Sequence, residues 1–107
     1  MKARATLAAA LALACVTGAH AQDAAAGKAK AAACAMCHGP VGIAAAPDTP
    51  NLAGQPASYL SEQLKASRGG ARKHEIMSLM AKPLTDADIA NLAAWFSSIK
   101  VEATPPS

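Results

Sequence analysis

Cys34-Ala35-Met36-Cys37-His38 puts two thiols and an imidazole within five residues. Thiols three positions apart can reach two vinyl groups on one edge of a porphyrin, and the residue after the second thiol then turns over the iron. This is the spacing of c-type haem attachment. It makes Cys34 and Cys37 thioether anchors, makes His38 the proximal ligand, and implies one covalent haem c with its iron as cofactor. Three other chemistries fit less well. A thiol/disulfide couple normally opens a helix within a βαβ pattern, and no segment here is strand-rich. A zinc site would need further ligands at finger spacing, whereas the remaining candidates are the distant Cys15, His20 and His74. A disulfide between residues so close would close only a tiny loop and stabilise little.

A second stretch, His74-Glu75-Ile76-Met77-Ser78-Leu79-Met80, bears on the other side of the iron. A thioether opposite an imidazole raises the reduction potential and suits electron transfer, while an open position permits ligand binding or catalysis. Met36 sits inside the attachment loop and cannot swing to the far face. Met77, Met80 and, as an outsider, His74 remain, and spacing alone does not choose among them. Each methionine also reads as a flexible core filler.

The elements that must hold these groups are few. Met1 to Ala21 begins with Lys2 and Arg4, continues through an apolar Leu/Ala run and ends in Ala19-His20-Ala21, the pattern of a secretion signal cut before Gln22. The apolar run is too short to span a membrane, and Cys15 leaves with it. The expected division is therefore a signal over residues 1–21 and one small domain over 22–107. Export suits the chemistry, because thiols and haem join outside the cytoplasm; the predicted location is the periplasm. Removing Lys2 and Arg4 from ten basic residues leaves eight against seven acidic ones, a balance that gives no reason to expect nucleic acid or a polybasic membrane contact.

Alanine supplies most of the 52% hydrophobic fraction. A domain this small with so few large apolar side chains needs a staple, and a covalent porphyrin would complete the core. Asp23 to about Cys37 reads as a helix with Asp23 at its positive end, and Gly27 as a place where another helix can approach. Gly39 to Pro50 reads as a loop covering the proximal edge, with the carbonyl of Pro47 predicted to accept the free N–H of His38. Pro56 opens a helix from Ala57 to about Ser67, carrying Leu60 and Leu64 on one face beside Tyr59. These three, with Leu52, are the predicted apolar contacts of the haem. Arg68 to Lys73 reads as a basic loop that is either solvated or supplies a propionate partner in Arg68, Arg72 or Lys73. The last helix starts at Thr85, with Asp86 and Asp88 in its first turn and Ile89, Leu92, Phe96 and Ile99 at helical steps.

Residues 22 to 101 resemble a class I cytochrome c, most closely a single domain of the cytochrome c4 / c553 group. The matching stretches are Gly27-Lys28-Ala29-Lys30 before the Cys-x-x-Cys-His, Asn51-Leu52-Ala53-Gly54-Gln55, Tyr59-Leu60 with Gln63-Leu64, Met77-Ser78-Leu79-Met80, and Leu84-Thr85-Asp86 through Trp95-Phe96. The resemblance implies an all-α fold wrapped around one haem, with the first and last helices crossing near Gly27 and Trp95-Phe96. In the family the axial Met lies seven residues before the apolar residue preceding the last helix; counting back from Leu84 gives Met77. The family's c4 members carry two such domains where this sequence has one. The stretch from Gly69 to Ile76 is also shorter than theirs.

The reading that results is a periplasmic one-electron carrier, not an enzyme. Its iron is held by His38 and Met77, and it is a monomer or weak dimer. It would serve redox proteins such as a cytochrome oxidase, a bc1-type complex or a dehydrogenase. Small residues, Ala35 and Ala44 to Ala46, would ring an exposed porphyrin edge. The alternatives are a subunit fixed to a dehydrogenase or oxidase, and a haem-based sensor or peroxidase-like protein if the Met ligand is labile.

Overall fold

The computed structural model describes residues 1–5, 8–14 and 22–107. The cut site at Ala19-His20-Ala21 and Cys15 lie outside those residues. Among the described residues every regular element is helical: α1 (Ala24–Lys30), a 3₁₀ turn (Ala31–Cys34), α2 (Ala35–His38), α3 (Ala57–Gly69), α4 (Met77–Ala81) and α5 (Asp86–Ser98). Among them, no helix is long and apolar enough to cross a membrane.

Each end of the fold is set by local chemistry. The Asp23 carboxylate accepts the N–H groups of Ala25 and Ala26 at 2.9 and 3.1 Å and so caps α1. Thr85 and Asp88 form a reciprocal capping box at α5: Asp88 N–H donates to Thr85 Oγ1, and Thr85 N–H to Asp88 Oδ2, both at 3.0 Å. Gly70 takes the left-handed conformation that ends α3.

α1 and α5 cross in contact, and Gly27 is the reason they can. A Cβ built there would lie 1.9 Å from the carbonyl oxygen of Asn91 and 2.9 Å from Trp95 Cβ. Asp23 N–H reaches Asn91 Oδ1 at 2.9 Å, Lys28 lies over the Trp95 ring at 5.5 Å, and Lys30 pairs with Asp88 at 3.4 Å. The core is small: one cluster of Ala31, Leu60, Leu92, Ala93 and Phe96, flanked by Leu52, Leu64, Leu84 and Trp95, with Ile89 of α5 fully buried as well. α5 supplies most of it, on the face predicted from its periodicity.

Two expectations need correction. The single helix over Asp23 to Cys37 is broken by the 3₁₀ turn at Ala31–Cys34, where Ala35 N–H bonds the carbonyl of Ala32. Tightening from 3.6 to about 3.0 residues per turn re-aims the attachment motif, which comes directly after the turn. The basic loop is also shorter than predicted, because Arg68 and Gly69 belong to α3.

Candidate haem-binding site

α2 is one turn long and carries the second thiol and the imidazole of the motif, with Cys34 immediately before it. Gly39, at φ +80°, lets the chain reverse directly after His38; a Cβ there would lie 1.9 Å from the carbonyl oxygen of Ile43. The reversal starts a loop that returns as Leu52 N–H and Ala53 N–H both bond the carbonyl of Gly42, at 2.8 and 3.1 Å. Closure of that loop brings Pro50 over the imidazole.

His38 is buried, with 7% of its surface exposed. Its Nδ1 lies 2.9 Å from the carbonyl oxygen of Pro50. A carbonyl can only accept, so Nδ1 carries the proton and Nε2 keeps the lone pair that can bind a metal. The acceptor is thus Pro50, not Pro47. Pro47 is exposed in the turn where Thr49 N–H bonds the carbonyl of Ala46, three residues short of the ring. Neither cysteine is paired in a disulfide; Cys34 is half-buried and Cys37 exposed.

Beside this motif lies a cavity of about 730 Å³, within the range that accepts a whole cofactor. Cys34, Cys37 and His38 line it, together with Leu52, Tyr59, Leu60 and Leu64, all four of the predicted apolar contacts. Met77 and Met80 of α4 also line it, as do His74 and Ile76. Met77 is half-buried and Met80 is 44% exposed. Met36 also borders the cavity but points 91% of its surface to solvent. Ala35 is half-buried, and in the following loop Ala44 is half-buried while Ala45 and Ala46 are exposed.

The predicted propionate partners separate. Arg68 is committed elsewhere: Nη1 donates to the carbonyl of Leu84 at 3.0 Å and Nη2 to Asp86 Oδ1 at 2.6 Å. That guanidinium holds the Asp86 carboxyl below the usual carboxylate range. Arg72 lines the cavity, with Nη1 donating to Gln63 Oε1 at 2.8 Å. Lys73 is exposed and is not among the lining residues.

Sequence reasoning missed Pro50, Gln63 and Ser67. The last two were within reach, since Leu60, Gln63, Leu64 and Ser67 form one helical stripe. Counting only its apolar members hid the polar half. Ser67, 4% exposed, lines the cavity with them.

These residues fit a porphyrin: two cysteines three positions apart and unpaired with each other, an imidazole whose tautomer leaves a ligating nitrogen, and a mainly apolar chamber with thioethers in its wall. The profile of the Cytochrome c family matches residues 24–100. The chain belongs to the cytochrome c family. This cytochrome is 49% identical over 79 residues to cytochrome c-554(548) of Halomonas halodenitrificans, covering 71% of this chain and 95% of that protein. It is 43% identical over 77 residues to the thiosulfate dehydrogenase electron acceptor of Thiomonas intermedia, covering 71% of this chain and 36% of that protein. The crystal structure of reduced recombinant cytochrome c4 from Pseudomonas stutzeri superposes with a TM-score of 0.70 at 43% identity, over 75% of this chain and 47% of that one. The chain therefore spans about half the length of that cytochrome c4. As in the family, haem c is held covalently through Cys34 and Cys37, the fold is the all-α class I fold, and the family is one of electron carriers.

Proposed function

We propose that this cytochrome carries single electrons in the bacterial periplasm, with His38 Nε2 and Met77 Sδ as the two axial ligands of its haem iron. The observation that carries the reading is the placement of both residues on the wall of one cavity, His38 with its Nδ1 held by Pro50 and Met77 half-buried at the start of α4. Bound haem supplies the Fe(III)/Fe(II) couple. The chain's own part is to fix the ligands. His38 is locked by a partly buried hydrogen bond, and Met77 by a short helix packed against α3, so neither moves far when the charge changes. Met80, one turn later and more exposed, is the weaker candidate.

Residues 1–21 act as the export signal and are removed, which leaves 22–107 as the working domain. The partners are redox proteins of the same compartment. A relative named as the electron acceptor of a thiosulfate dehydrogenase supports a dehydrogenase as donor; a bc1-type complex and a terminal oxidase are the other classes that fit. The exposed methyl-rich rim at Met36, Ile76 and Met80 suits close, mainly apolar docking.

Carbon monoxide offered to the reduced holoprotein tests this. A thioether that stays on the iron keeps the gas out, and the ferric protein shows the weak far-red band of sulfur-to-iron charge transfer. Rapid carbon monoxide binding with no far-red band would instead favour a sensor or peroxidase-like protein.

A further inference from the structure

We infer that His74 is a positioning residue for the sixth ligand of the iron, its imidazole capping the helix that carries Met77. The inference rests on the reading of Met77 as that ligand. α4 has five residues, too few to be stable alone. Its first N–H groups need acceptors, and Ile76, the residue in the cap position, offers no side-chain hydrogen bond. His74 supplies what is missing. Its Nδ1 accepts the N–H of Ile76 and the N–H of Met77, both at 3.2 Å. The contact is reciprocal, since His74 N–H donates to Ser78 Oγ at 3.0 Å and Ser78 N–H to the carbonyl of His74 at 3.0 Å.

This knot of four hydrogen bonds holds the backbone of Met77 itself. An imidazole that accepts at Nδ1 carries its proton on Nε2, so neither nitrogen offers a lone pair to the iron. His74 thereby leaves the set of possible ligands and takes a different task. For the Met77 thioether to leave the iron by more than a side-chain rotation, α4 must open locally, and the cap opposes that opening.

Cyanide binding to the ferric holoprotein reads the opening directly, because the anion enters only when Met77 leaves. His74→Ala removes the acceptor and raises the binding rate about five- to thirtyfold, as loss of a helix cap does. His74→Asn, whose amide oxygen can accept the same N–H groups, returns it to within about threefold of wild type. A wild-type rate in His74→Ala, or equal acceleration in both variants, would overturn the inference. Met77→Ala separates this from its foundation: if that variant keeps the far-red band, Met77 is not the ligand, whatever the His74 variants do. Should His74→Ala fail to fold, amide exchange in the wild-type holoprotein decides. Protection of the Ile76 and Met77 amides by about tenfold or more over an unstructured peptide supports the cap, and free exchange refutes it.

Discussion

Gly27→Ala adds one methyl group, and the crossing of α1 and α5 fixes where it must go. The new carbon would sit 1.9 Å from the Asn91 carbonyl oxygen, 2.5 Å from its carbon and 2.9 Å from Trp95 Cβ. Contacts below 3.0 Å are essentially never tolerated, so the helices must separate by at least about 1.1 Å, the difference between 3.0 and 1.9. The obstacle is backbone, which cannot rotate away. Overpacking of this kind costs about 1–3 kcal/mol, occasionally more, and separation also strains the Asp23–Asn91 hydrogen bond. Against this, alanine in a helix gains only about 0.5–1 kcal/mol over glycine. The net loss is about 1–2 kcal/mol, a fall of about 4–16 °C in Tm for a domain this size. Gly69→Ala is the matched control, also helical but with no atom within 4 Å of the added carbon; it should raise Tm by a few degrees. Thermal unfolding of both holoproteins followed by circular dichroism decides. A Gly27→Ala protein as stable as Gly69→Ala would refute the close crossing.

Thr85→Ala removes one arm of the capping box and should destabilise the holoprotein by about 1 kcal/mol in denaturant titration; no change would mean that α5 starts elsewhere. The carboxyls of Asp86 and Asp88 are both held low in the folded state, by Arg68 and by Thr85 respectively. The unfolded chain therefore binds more protons than the folded one in the window from about pH 4 down to the lowered folded values. The stability these groups contribute is full above that pH and is lost as the pH falls through their folded values. Asp86→Asn should accordingly flatten the acid limb of the stability curve, and an unchanged limb would count against the Arg68 pair. With eight basic and seven acidic residues after position 21, the electron-transfer rate with a natural partner should fall only mildly between low and physiological salt. A steep fall would point to a charged docking face.

What the sequence made legible was what depends on neighbours along the chain. The attachment motif, the Thr85 start of α5 and the stripe at Leu60 and Leu64 come from spacing and residue type, and Gly27 stood out as a glycine kept at a cost within a helix. What escaped depends on contacts across the chain. Pro50 reaches His38 because the loop folds back onto Gly42, and nothing local separates it from Pro47. Arg68 finds its partner eighteen residues away, so its basic neighbourhood read as a loop. The 3₁₀ turn escaped because an alanine run suits either helix. Met77 was favoured over Met80 by resemblance, since both stand in the same short helix and both line the same cavity.

The most direct test of the central claim is the NMR spectrum of the ferrous holoprotein with its methionine methyl groups isotopically labelled. A methyl on an iron-bound sulfur lies over the porphyrin face and is shifted far upfield by its ring current. One such resonance is predicted, present in wild type and Met80→Ala and lost in Met77→Ala. If the shifted methyl survives the change at Met77, or never appears, the axial assignment is wrong.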